Sequence, residues 1–145
     1  VRAEEARVAR IVALFEALAP ADLLRLGDFY SPDAWFKDPF NEVRGVPAIA
    51  RVFEHMFETL DGPRFIVRDV VAQGDQCFLS WDFRFRMRRF QREEQLVRGG
   101  SHLRLDGAGR ITMHRDYWDA AEELYEKLPV VGGLMRWLKG RVAAA

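Results

Sequence analysis

Residues 77–87 read CFLSWDFRFRM, and their alternation decides the fold class. Cys77, Leu79, Trp81, Phe83, Phe85 and Met87 fall on one side of an extended chain, and Phe78, Ser80, Asp82, Arg84 and Arg86 on the other. A period of two kept over that length is the pattern of a half-buried β-strand. Working outward, Gly74-Asp75 is a hairpin signal joining this strand to one over Phe65–Ala72. On the other side, Arg88 to Gln91 turns the chain into a strand ending at Leu105. Asp106-Gly107-Ala108-Gly109 makes a tight turn, and Ile111–Trp118 is the last strand. Gly99-Gly100 inside the penultimate strand reads as a β-bulge.

Upstream of Phe65 the period is helical. Val8, Ile11, Val12, Phe15 and Leu18 place an amphipathic helix over Ala6–Leu18, ended by Pro20. Asp22 is read as the cap of a shorter helix that buries Leu23, Leu24, Leu26 and Phe29. Ala34–Asp38 reads as a short strand stopped by Pro39, and Asn41–Gly45 as a loop. Pro47 then opens a helix carrying Ile49, Val52, Phe53, Met56, Phe57 and Leu60. After the last strand, residues 120–141 read as a C-terminal helical extension, with Leu124, Leu128, Val131, Leu134, Met135, Trp137 and Leu138 too apolar to be left in water. Helices followed by a meander of long strands give an α+β class: one domain over 1–145, with a curved antiparallel sheet wrapped around the N-terminal helices.

The chain has 145 residues, 49% hydrophobic and 30% charged, with Lys+Arg and Asp+Glu both at 22. Zero net charge argues against nucleic acid, whose phosphates call for a basic excess. Arg84, Arg86, Arg88, Arg89 and Arg92 cluster around a hairpin, but Glu93 and Glu94 follow them, as in a salt-bridged edge. The single cysteine, Cys77, fits a cytoplasmic protein, and the charged N-terminus VRAEEARVARIVALF is not read as a signal peptide. His55, His102 and His114 are scattered without Cys/His spacing, so no metal site is expected. There is no phosphate loop or dinucleotide fingerprint, and no cofactor is expected.

Three segments carry a family resemblance. DLLRLGDFYSPDAWFKDPFNEVRG (22–45), SHLRLDGAGRI (101–111) and HRDYWD (114–119) together resemble the nuclear transport factor 2-like superfamily, which holds ketosteroid isomerases, SnoaL-type polyketide cyclases and limonene epoxide hydrolases. The resemblance implies a cystatin-like roll with a cone-shaped pocket, and a homodimer built on the outer face of the sheet. It also implies that Asp38 occupies the place of the isomerase general base. The isomerase's oxyanion donors do not carry over: their positions hold Leu14 and Ser101, and a further family tyrosine becomes Phe53. Asp116 matches an epoxide hydrolase carboxylate whose Arg-x-Asp partner is absent.

Each candidate has a plain structural reading beside the chemical one. Asp38 stands among Trp35, Phe36 and Phe40, apolar surroundings that raise a carboxyl pKa toward that of a working base. It can equally accept N–H bonds in the loop after Pro39, as Asp does in turns. His114, Asp116 and Trp118 alternate on the last strand and share a face. They are read as assisting the base, or as a structural hydrogen-bonded pair at a strand end. Trp35, Trp81, Phe83, Phe85 and Trp118 are expected to line the pocket, with Leu14, Phe53 and Ser101. The functional expectation is an isomerase-, cyclase- or hydrolase-type enzyme for a small hydrophobic molecule; the alternative is a non-catalytic binding module or an interaction adaptor. Arg98, His102 and Arg104 project from the other face, where a homodimer contact is expected. The tail is expected to pack as a lid, and membrane contact is not.

Overall fold

The computed structural model describes residues 3–88, 93–123, 137–138 and 140–141. Helix α1 (Ala3–Glu16) buries Val8, Ile11, Leu14 and Phe15, the three-and-four spacing of one apolar stripe. A 3-10 helix follows over Pro20–Asp28. Its tighter winding aligns every third residue, so Leu23, Leu26 and Phe29 turn inward while Leu24, expected in the core, is 92% exposed. Asp22 does not cap this helix from its start; it sits within the first turn and reaches back to accept the Ala19 N–H at 2.8 Å. A hydrogen bond from Arg25 and that backbone bond hold its carboxyl below the usual range.

Six strands form one sheet: β1 (Tyr30–Lys37), β2 (Glu42–Arg44), β3 (Leu60–Gln73), β4 (Gln76–Met87), β5 (Glu94–Leu105) and β6 (Ile111–Tyr117). Helix α2 (Val46–Thr59) separates β2 from β3 and buries Ile49 and Phe53. The strand order is β2-β1-β6-β5-β4-β3. Strands β3 to β6 form the expected antiparallel meander, hinged at Gly74, whose φ of 61° suits glycine in a tight hairpin.

Two expectations about the sheet fail. It is mixed, because β1 pairs with β6 in parallel, Phe36 opposite His114. It is also open, with β2 and β3 as separate edges, so it does not close or curl into the expected cone. Side-chain alternation reports which face a residue takes, not the direction of the neighbouring strand or whether the outer strands meet. The loop expected over Asn41–Gly45 contains β2, where Val43 lies opposite Phe36.

Gly99 and Gly100 do not form a bulge. They stay in register opposite Trp81 and Ser80, and they make room for rings. A Cβ on Gly99 would lie 2.6 Å from Trp81 Cη2, and one on Gly100 would lie 2.7 Å from Phe78 Cε1.

The inner face carries the core: Tyr30, Phe36, Leu79, Leu103 and Ile111 against α1 and α2. On the outer face Arg98 binds Glu123 at 3.1 Å, tying α3 (Ala120–Glu123) to β5, and His102 Nε2 meets Gln76 Oε1 at 2.9 Å. The basic hairpin is salt-bridged as expected where it is described: Arg84 and Arg64 share Glu94, and Arg88 pairs with Asp61. Most of the expected extension over 120–141, and with it the lid, lies outside the described residues; Trp137 and Leu138 are exposed.

Candidate functional site

Alternation along β4 drives Trp81, Phe83 and Phe85 to the inner face, and α2 lays Val52, Phe53 and Met56 over them. Between them is a cavity of about 330 Å³, closed further by Leu60, Phe65, Met87, Val97 and Trp118. That size and apolar lining suit a small organic ligand. The polar groups on its wall include Asp38, Asn41, His55, Thr59 and Asp116.

Asp116 belongs to a chain of hydrogen bonds across four strands. Trp81 Nε1 donates to Ser101 Oγ at 2.9 Å, and Ser101 Oγ donates to Asp116 Oδ1 at 2.6 Å. His114 Nε2 meets the same Oδ1 at 2.6 Å, while its Nδ1 meets the Tyr30 hydroxyl at 2.8 Å. The register explains the assembly: Ser101 lies opposite Asp116 and Leu103 opposite His114, so alternate residues of two neighbouring strands point the same way. The imidazole is packed by Phe15, Tyr30 and Phe36 and is only 4% exposed. Burial, and then the Asp116 charge, hold the Tyr30 phenol well above its ordinary pKa. With the Tyr30 hydroxyl donating to Nδ1, the ring hydrogen of His114 is on Nε2, aimed at Asp116. Both donors use Oδ1. Oδ2 of Asp116 accepts no hydrogen bond among the described residues, and the side chain keeps 14% of its surface open.

Asp38 is placed differently. Its Oδ1 accepts the N–H groups of Phe40 at 2.8 Å and Asn41 at 2.6 Å, and the Asn41 side-chain amide spans both carboxylate oxygens at 3.1 Å. This is the turn-acceptor arrangement, although Asp38 still touches the cavity wall.

The other candidates divide by face. Phe53, Trp81, Phe83, Phe85 and Trp118 line the cavity. Ser101 and His114 lie behind it, around a crevice shared with Asp116. Leu14 is core packing. Trp35 alternates with the inward Phe36 and lies opposite Arg44 and Met113, away from the cavity lining. Sequence reasoning missed Tyr30, because its partner His114 is joined to it through the parallel β1–β6 pairing. It also missed Met87, Val97 and Phe65 as wall residues, although the alternation that placed Trp81 and Phe83 inside extends to Met87.

Among the described residues no group of His, Cys, Asp and Glu could hold a metal ion, and no helix is long and apolar enough to cross a membrane.

A family model described as the SnoaL-like domain matches residues 11–114, well over half of the chain. No curated protein matches the chain. Among solved structures, an NTF2-like protein of Burkholderia pseudomallei is similar with a TM-score of 0.71 at 15% identity, over 84% of this chain and 95% of that one. An LEH-like epoxide hydrolase of M. tuberculosis gives 0.70 at 19% identity, over 97% and 98%. An NTF2-like protein of Burkholderia thailandensis gives 0.69 at 21% identity, over 82% and 92%. At such identities the likeness establishes the fold alone.

Proposed function

The chain belongs to the SnoaL-like domain family, and from that premise we propose that it is an isomerase-, cyclase- or hydrolase-type enzyme acting on a small hydrophobic molecule, with Asp116 as general base. One observation carries the proposal: a carboxylate on an apolar cavity has one oxygen held by Ser101 and His114 while the other accepts no hydrogen bond among the described residues. Oδ2 takes a proton either from a C–H bond of the bound substrate, which keeps the electron pair, or from a water whose oxygen then attacks the substrate. The two donors on Oδ1 keep the carboxylate oriented, and Tyr30 fixes the imidazole tautomer that donates to it. Asp38, with its carboxylate held by loop donors, positions the turn that forms part of the wall.

The non-catalytic binding module keeps a specific observation in its favour. Leu14 and Phe53 are apolar, and the Ser101 hydroxyl is committed to Asp116, so none of the three offers a hydrogen bond to a developing oxyanion. The two readings part in a turnover assay. Deuterium exchange at the α-carbon of 2-tetralone and hydrolysis of styrene oxide sample the proposed chemistries. Turnover by the native protein that falls roughly 10²–10⁴-fold in Asp116→Asn supports the enzyme. Binding of such probes without turnover supports the module, and turnover that survives Asp116→Asn removes Asp116 from the role of base.

The proposal includes a cytoplasmic homodimer. Val71, Phe78 and Tyr117 present apolar surface on the outer face of the sheet, and zero net charge lowers the barrier to self-association. A monomer mass by light scattering at micromolar concentration would remove that part.

A further inference from the structure

The described wall of the cavity carries charge of one sign. Among the described lining residues Asp38 and Asp116 are acidic, and no lysine or arginine accompanies them. Among the described residues no lysine or arginine pairs with either carboxylate: Asp38 is held by backbone and amide donors, and Asp116 by the Ser101 hydroxyl and the His114 imidazole. The chain carries 22 Lys+Arg, yet among the described residues of this wall the only other titratable group is His55. Anionic charge on an apolar wall is costly unless a counter-charge arrives, and it repels an anionic ligand.

The aromatic rings sharpen the reading. Phe40 and Trp118 meet edge to face, with centroids 5.5 Å apart and planes at 72°, and both line the cavity. Asp38 accepts the N–H of Phe40 itself and lines the same cavity, so its carboxylate belongs to the turn that carries one of the two rings. Aromatic rings with a carboxylate on the same wall are the parts from which proteins build sites for organic ammonium ions. Trp118 follows Asp116 by two residues, about 6.6 Å along an extended chain.

We infer that the cavity takes a hydrophobic molecule bearing a protonated or quaternary ammonium group, with that group in the Asp38–Phe40–Trp118 corner. This rests on the reading of the cavity as a small-molecule site and adds the ligand's charge to it.

The test compares phenyltrimethylammonium with its uncharged isostere tert-butylbenzene and with benzoate, by titration calorimetry on the full chain. The cation is expected to bind roughly tenfold more tightly than the isostere, and benzoate more weakly than either. Asp38→Asn and Trp118→Leu should each reduce the cation's advantage to about two- or threefold while changing tert-butylbenzene less. Equal binding of cation and isostere by the native protein overturns the ammonium inference and leaves the apolar site standing. A preference that survives in both variants overturns the placement in this corner. Failure of all three probes to bind up to millimolar concentration overturns the inference and the small-molecule reading together. The native preference reads the charge without any variant, so a folding defect in either substitution does not decide the matter.

Discussion

Asp38 and Asp116 line the same cavity, but every donor to Asp38 comes from the next three residues, whereas Asp116 takes one of its two donors from a neighbouring strand 15 residues away. Asp38 is satisfied by Phe40 and Asn41, the residues of its own turn. Asp116 is held by Ser101 on the next strand and by His114, which in turn depends on Tyr30 at the far side of the parallel pair. A carboxylate with local donors shapes the chain. One with donors gathered by the tertiary fold, and an oxygen to spare, is arranged toward the cavity. The contrast shows why a position before an Asp-Pro turn is a weak marker of a base: the same residue type there also satisfies the loop.

The largest expected effect breaks the comparison outright if it fails. On any probe that the native protein turns over, Asp116→Asn should lower kcat by roughly 10²–10⁴, and Asp38→Asn by only a few fold. Steady-state kinetics on the two variants decides it, and a deeper loss in Asp38→Asn would exchange their roles.

Next comes the support of Asp116. Gly99 leaves space for the Trp81 ring, whose indole N–H holds Ser101. A methyl group in Gly99→Ala would meet that ring at 2.6 Å and the Tyr117 carbonyl oxygen at 2.9 Å. Backbone on one side cannot yield cheaply, so the variant should lose about 1–3 kcal/mol of stability. Urea denaturation measures the loss; an unchanged midpoint would show that the ring has another place to go.

The Asp38 arm should respond less. Asp38→Asn keeps one acceptor oxygen but turns an amide N–H toward the Asn41 side chain, costing about 1 kcal/mol and lowering Tm by a few degrees. A raised Tm, read in a thermal melt at pH 7, would mean that the carboxylate's charge is a burden in its pocket and would restore Asp38 as a candidate base.

The same division by distance governs what could be read without coordinates. The alternation over Cys77–Met87 and the hairpin at Gly74-Asp75 are local signals, and they placed β4 and its inward rings correctly. His114 and Asp116 shared a face for the same reason. The direction of β1 beside β6, the open edges of the sheet and the Tyr30 contact depend on which distant strands meet, and a period of two is silent on that. Leu24 failed for a narrower reason: its neighbours wind as a 3-10 helix, and an α-helical period rotates it to the wrong side. Gly99-Gly100 was recognisable as unusual, but a bulge and a close approach of a ring leave the same mark in a sequence.

The smallest effect is a change of stability with pH that appears only in alkali, where it tests the far end of the Asp116 chain. Tyr30 is wholly buried, and burial together with the Asp116 charge holds its phenol well above 10.0. In the unfolded chain the phenol titrates near its ordinary value, so above that pH the folded state binds more protons than the unfolded one. Stability contributed by the protonated phenol is therefore intact below pH 10 and is lost as pH rises beyond it toward the folded pKa. The buried Cys77 thiol, pushed up to about 11, gives a loss of the same sign beginning near pH 9. Tyr30→Phe removes the first contribution and keeps the second. It also leaves His114 Nδ1 without its donor, an offset present from neutral pH upward. Urea unfolding of both proteins between pH 7 and 11 should then show a stability gap that is flat to about pH 10 and narrows above it. The Cys77 loss appears in both proteins and cancels in the difference. A gap that stays constant through pH 11 would mean that Tyr30 ionises as easily folded as unfolded, and the buried hydroxyl-to-imidazole link that orients Asp116 would have to be given up.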